Sequence, residues 1–226
     1  MRYYPVFLDI KGKPCVIVGG GEVAERKALS LLSAGASVKV ISPNATKTLN
    51  TLVKEGSIER LRRKYKKGDL NGAVLAISAS DSKEVNKAVY EEAQEARIPV
   101  NVVDDPAHCG FIVPSVVQRG GLTIAISTGG RSPLLAKTIR QELEKSYGEE
   151  YETFVEVLGA VRKKLLKSGV NRVKKERVIK DLIASPMPGW IKENADREIN
   201  SFLKGLLGQG YSLSSLGVKL KDKDKK

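Results

Sequence analysis

Aromatic residues are scarce in this chain of 226 residues: Phe, Tyr and Trp make up 5% of it, and Trp190 is the single tryptophan. Proteins that hold nucleic acid by stacking interleave aromatics with basic residues. No such motif is present, so no nucleic-acid partner is expected. Histidine is rarer still, His108 alone. One histidine beside one cysteine, Cys109, lacks the spacing of a metal site, and no metal is expected. Cys15 and Cys109 are too few for a disulfide framework. Cys15 lies in an apolar run, where a free thiol behaves as a small hydrophobe. No stretch approaches the ~18 apolar residues of a membrane helix. The start, Met1-Arg2-Tyr3-Tyr4-Pro5, leads into a strand-like segment instead of a secretory h-region. A cytoplasmic, soluble protein without a membrane partner is expected.

Basic charge, by contrast, is abundant. The formal net charge is +13, and from Ala160 onward 17 basic residues face 7 acidic ones, which places +10 of it in the last third. Such a surface attracts polyanions of any kind, including a small substrate rimmed with carboxylates. A solvated helical face with a Lys/Asp tail is the alternative.

From Cys15 to about Asp104, short apolar strands alternate with amphipathic helices. The strands are Cys15–Val18, Ser37–Ile41, Ala73–Ser78 and Pro99–Val103. The helices are Glu22–Ala34, one after Pro43 ending at Gly56, and Ser82–Ala96 with Val85, Ala88, Val89 and Ala93 inward. This pattern predicts an α/β fold with a Rossmann-type parallel sheet. After Pro106 the style changes. Ile112–Val117 and Leu122–Ser127 read as a hairpin joined by Gln118-Arg119-Gly120-Gly121, and Ser132-Pro133 opens a helix reaching about Tyr147. The remainder to Gly210 is helical and basic. The expected division is a dinucleotide domain over 1–112, a small α+β dimerisation region over 113–147, a helical region over 148–215 and a disordered tail over 216–226.

Gly19-x-Gly21-x-x-Ala24 follows the first strand and opens a helix. Gly19 makes the tight turn, Gly21 lets the backbone approach a pyrophosphate, and Ala24 lets the helix pack on the strand. The N–H groups of Glu22, Val23 and Ala24 then face the phosphates. At the end of the second strand, where NAD-binding units usually carry an acidic residue for the ribose, the chain has Ser42-Pro43-Asn44. No arginine stands beside Ser42 in sequence to recruit a 2′-phosphate, which favours NAD over NADP.

The stretches Pro5-Val6-Phe7-Leu8, Val16 to Ala28, Ala79-Ser80-Asp81 with Val85-Asn86, Asn101-Val102-Val103-Asp104, Phe111 to Ser115 and Ser127 to Pro133 resemble the sirohaem-synthase dehydrogenases. These enzymes oxidise precorrin-2 to sirohydrochlorin. The resemblance runs over roughly residues 3–147. It implies that NAD accepts a hydride from a reduced tetrapyrrole, that the enzyme is a homodimer with an intertwined middle region, and that Asp104, which closes the Asn-Val-Val-Asp motif, is the catalytic residue. Ser80 and Asn101 join the candidate cofactor set. Asp104 also stands at the carboxyl end of a parallel strand, where open α/β sheets place ligands; an Asp-Asp-Pro turn is the structural alternative.

Ser127, Thr128, Gly129 and Arg131 form a glycine-rich turn before a helix N-terminus, a candidate for the substrate's carboxylates. Relatives with serine at the place of Thr128 can be phosphorylated there; this chain has threonine. Some members of the family also insert iron into sirohydrochlorin, so a bifunctional dehydrogenase and ferrochelatase is one alternative. A non-catalytic module that senses NAD is the other.

Overall fold

Every residue of Cys15–Val18 is apolar, the composition of a strand buried on both faces, and that run lies at the centre of the sheet. The computed structural model describes residues 2–221. The chain divides after Val113 into two units.

In the first unit, β1 (Pro14–Val18), β2 (Ser37–Ile41), β3 (Ile58–Leu61), β4 (Leu75–Ser78) and β5 (Val100–Val102) form a parallel sheet of order β3-β2-β1-β4-β5. Val18 pairs with Ile41 on one side and Ser78 on the other. The carboxyl ends of the three strands therefore meet at one edge. Helix α1 (Glu22–Ser33) buries Ala24, Ala28 and Leu31 at intervals of three and four, and packs on one face with α2 (Lys47–Lys54). Helix α3 (Lys83–Glu95) packs on the other with Val89 and Ala93. These elements realise the expected α/β architecture.

Two features depart from the sequence pattern. The β3 strand was not anticipated, because Ser57-Ile58-Glu59-Arg60-Leu61 is short and polar and lies at the sheet edge, where one side needs no apolar cover. Ala88, expected inward on α3, is exposed, and Glu92 is buried in its stead at 6% exposure. The Glu92 carboxylate accepts from Gly68 N (2.8 Å), Leu70 N (2.9 Å) and the Tyr65 hydroxyl. It thereby fastens the helix-free connection from β3 to β4. Burial, followed by this bond, pushes the Tyr65 hydroxyl far above its ordinary range.

In the second unit, β6 (Ser115–Arg119) and β7 (Leu122–Ile126) form a two-stranded antiparallel ribbon, with Arg119 paired to Leu122 across Gly120-Gly121. The first strand is shifted from its expected bounds, the second starts at Leu122 as expected and ends one residue earlier, and the connection is two residues, the commonest hairpin loop. Helix α4 (Pro133–Ser146) packs on the ribbon. Helix α5 (Glu150–Lys167) carries Phe154, Val157, Val161 and Leu165 on one stripe, with Glu150 and Glu152 in its first turn and Lys164 and Lys167 in its last, matching its dipole. Around that stripe gather α6 (Arg172–Ile183), α7 (Met187–Glu193), α8 (Asp196–Leu207) and α9 (Leu213–Leu216). The ribbon and these helices, expected to divide at residue 147, cluster as one unit. The tail expected from 216 is ordered as far as Lys221: Val218 is buried in the helical core, and Lys221 Nζ donates to Glu152 Oε2 at 2.5 Å. Residues 222–226 lie outside the described residues. Among the described residues no helix is long and apolar enough to cross a membrane.

Candidate active site

Three loops meet at the carboxyl edge of the first sheet, and their backbones are joined. Gly19 N donates to Ile41 O (3.0 Å), Thr46 N donates to Gly20 O (3.0 Å), and Ala79 N donates to Val18 O (2.7 Å). The glycines between them are sterically required. A Cβ on Gly19, whose φ is +122°, would fall inside 3.0 Å of the Ala79 carbonyl oxygen; one on Gly20 would do the same to the Asn44 carbonyl and lie 2.8 Å from Ser42 Oγ. Real Cβ atoms essentially never approach so closely. Gly21 differs: a Cβ there meets nothing within 4 Å. The cradle is thus walled by protein on two sides and open on the third, where the first amides of α1 lack helical acceptors. Gly21 is the N-cap, with no side-chain cap to satisfy those amides. Exposed backbone donors at a helix start, with space before them, fit a dinucleotide pyrophosphate.

The remaining candidate residues of this unit differ in their surroundings. Glu22 is exposed, Val23 half-buried, and Ala24 fully buried in the core. Ser42 is buried at 8% exposure, while Pro43 and Asn44 are exposed. Ser80 Oγ accepts from Ser82 N (3.3 Å), and its carbonyl accepts from Asn86 Nδ2 (2.9 Å). Asn101 directs its amide to the Phe111 carbonyl (3.0 Å) and to Cys109 Sγ (3.4 Å), so its donors hold the chain instead of facing solvent.

At the end of β5 the loop is bound by its own polar groups. Cys109 Sγ donates to the Val102 and Asp105 carbonyls, both at 3.2 Å. Burial pushes this thiol above its usual range. His108 Nδ1 and Asp105 Oδ2 are 2.7 Å apart, and that bond holds the Asp105 carboxyl below the usual range. His108 also stands edge-on to Tyr90, ring centres 4.5 Å apart. Amid these ties Asp104 is exposed and has no hydrogen-bond partner among the described residues. Its φ is +59°. Arg97 and Asn194, the other non-glycine residues of positive φ among those described, close helices; Asp104 does not. It lies in the Val102–Asp105 turn, where Asp105 N donates to the Val102 carbonyl (3.2 Å), the expected Asp-Asp-Pro turn, and aspartate tolerates this region better than most residues.

The remaining candidate residues lie in the second unit. Thr128 Oγ1 donates to the Ser132 carbonyl and accepts from Ser132 N, both at 3.0 Å, and Ser127 Oγ accepts from Gly129 N (3.0 Å). Gly129 and Gly130 have φ of +64° and +82°, and nothing lies within 4 Å of a Cβ on either. Arg131 is exposed.

Sequence reasoning missed three residues at the sheet edge. Gly20 was overlooked because the fingerprint assigns it no task. Arg60, on the unforeseen β3, donates to the carbonyls of Ser42 and Pro43 and to Asn50 Oδ1. No arginine adjoins Ser42 in the sequence, but in the fold strand pairing brings Arg60 beside it. Lys27, on α1, is pushed below the ordinary lysine range by burial and then by Arg26, and lies close enough to feel Cys109. Its proximity to the β5 loop is a tertiary fact that no spacing reveals. Among the described residues, no group of three His, Cys, Asp or Glu side chains is arranged to hold a metal ion.

Comparison with known proteins gives this geometry a family. Residues 6–115 match an NAD(P)-binding family and residues 119–146 the central region of sirohaem biosynthesis proteins, together well over half of the chain. The siroheme synthase of Methylobacillus flagellatus is 40% identical over 209 residues, covering 91% of this chain and 45% of the relative. That of Vesicomyosocius okutanii is 40% identical over 220 residues, covering 93% and 47%. The chain thus spans less than half the length of these relatives. Among solved structures, SirC, a precorrin-2 dehydrogenase, superposes with a TM-score of 0.74 at 27% identity, over 90% of this chain and 98% of that one. On these matches the chain belongs to the sirohaem synthase family, of which it spans the NAD(P)-binding and central regions.

Proposed function

We propose that the protein oxidises precorrin-2 to sirohydrochlorin with NAD as the hydride acceptor. The observation that carries this reading is Asp104: an exposed, unbonded carboxylate in a left-handed conformation, at the carboxyl end of a parallel strand, inside a loop whose other polar groups are occupied.

The oxidation removes a hydride and a proton from the substrate. NAD, when bound, takes the hydride. The chain's residues do the rest. Gly21 leaves room for the pyrophosphate, the amides of Glu22 and Val23 donate to it, and the buried Ala24 seats the helix start on the strand. Ser42, Pro43 and Asn44 border the ribose, with Ser80 and Asn101 shaping the floor beneath the nicotinamide half through the backbone they hold. Asp104, as its carboxylate, accepts the proton. NAD is preferred to NADP because the guanidinium beside Ser42 spends four of its bonds on the carbonyls and amide around it.

Ser127, Thr128, Gly129 and Arg131 supply backbone donors and one cation for the substrate's carboxylates. The exposed Val116 on the ribbon β6–β7 (39%) offers apolar surface for a homodimer. In this reading the first unit holds the cofactor.

Incubating the protein with precorrin-2 and either NAD or NADP, and following the reduced nicotinamide, tests the reading. NADH should form, faster than NADPH. No reduced nicotinamide, where another precorrin-2 dehydrogenase forms it, would end the proposal.

A further inference from the structure

The guanidinium of Arg60 is engaged on three residues of the loop region beside the glycine cradle. Its Nε and Nη2 donate to the Ser42 carbonyl (3.2 and 3.1 Å), Nη2 also donates to the Pro43 carbonyl (2.7 Å), and Nη1 donates to Asn50 Oδ1 (2.7 Å). Asn50 in turn donates through Nδ2 to the carbonyls of Ala45 (3.1 Å) and Thr46 (2.9 Å). The Ser42, Pro43, Ala45 and Thr46 carbonyls of the β2–α2 turn are therefore all held by the Arg60–Asn50 pair.

The sheet explains how the pair forms. Arg60 aligns with Val40 in the β2–β3 ladder, and Ile58, two residues before it, is buried in the core beneath α2. Residues two apart share a face, so Arg60 emerges on the α2 side, within reach of Asn50. A planar fork of five N–H groups suits several acceptors at once; a lysine ammonium does not.

This turn borders the cradle directly. Its Asn44 carbonyl and Ser42 hydroxyl leave no room for a side chain on Gly20, and Thr46 N donates to the Gly20 carbonyl. A shift of the turn would either close on the glycine loop or release it.

We propose that Arg60 is a positioning residue of the dinucleotide site, acting through the Ser42–Thr46 turn to keep the ribose end of the cradle open and preformed. The proposal rests on the reading that this cradle holds a dinucleotide. Without the fork the turn samples other conformations, and the cofactor bears the ordering cost on binding.

The test is a fluorescence titration of NADH against the wild-type protein, Arg60→Lys and Arg60→Met, at a temperature where circular dichroism shows all three folded. Lysine preserves charge and strand, which keeps the test valid if the methionine variant fails to fold. Both variants should weaken NADH by about tenfold or more. In turnover, KM for NAD should rise in step while kcat at saturating NAD and KM for the tetrapyrrole stay near wild type, a split that general destabilisation would not produce. Wild-type affinity in Arg60→Lys would overturn the proposal, because charge alone would then suffice. A wild-type protein that binds no NADH would overturn the dinucleotide reading and this proposal with it, whereas binding that is equal in all three would overturn this proposal alone.

Discussion

The chain contains two glycine turns that each deliver a helix N-terminus, and they are glycine-rich for different reasons. After β1, Gly19 and Gly20 are hemmed in by the carbonyls of Ala79 and Asn44, and only Gly21 faces open space. After β7, Gly129 and Gly130 face open space entirely and are glycine for their positive φ. The first turn is a cradle defined by neighbouring strands; the second is a backbone bend capped by Ser132 and Thr128. A glycine motif becomes specific through what surrounds it, and only the first turn has surroundings that leave one exit.

Substitutions should separate the two turns by kind as well as by size. Gly19→Ala combines a forced contact with an unfavourable φ, and should cost about 3 kcal/mol or more while abolishing NADH binding. Denaturant unfolding with an NADH titration checks both, and a stable variant that binds NADH would break the comparison. Gly21→Ala should fold as the wild type does and lose about tenfold or more in NADH affinity, because the methyl group occupies space kept for the ligand. In the second unit, Gly129→Ala and Gly130→Ala should each cost about 1 kcal/mol and leave NADH affinity unchanged. Altered NADH affinity there would mean that the second turn also serves the cofactor.

The smallest effect is an acid signature of the first unit. Arg63 bonds Asp69 through both carboxylate oxygens at 2.7 Å and holds that carboxyl below its usual range. A depressed folded-state pKa stabilises the protein above the unfolded carboxylate value of about 3.9, and the gain is lost as pH falls through the folded value. The Tm gap between wild type and Arg63→Met should therefore be present at neutral pH and close in acid. A gap independent of pH would assign the arginine's effect to packing.

Much of this was legible in the sequence because the signals are local. The apolar run at Cys15, the helix period through Ala24, Ala28 and Leu31, and the Gly19-x-Gly21 spacing each depend on neighbours in the chain. What escaped depends on pairing across it. The β3 strand is polar because it is an edge, and Arg60 works on backbone carbonyls 17 and 18 residues away, which carry no sequence identity. Glu92, outside the expected inward set, is buried because three donors from the facing loop satisfy it, while Ala88 is exposed. Asp104 was legible as a motif residue, yet its positive φ and its lack of partners follow from the loop around it.

The most direct test of the account is therefore Asp104→Ala, assayed with precorrin-2 and NAD beside the wild-type protein. The variant should fold, bind NADH with wild-type affinity and lose about 100-fold or more of the oxidation rate, the range for removing a proton acceptor. Wild-type turnover in Asp104→Ala would contradict the central claim that this carboxylate takes the proton.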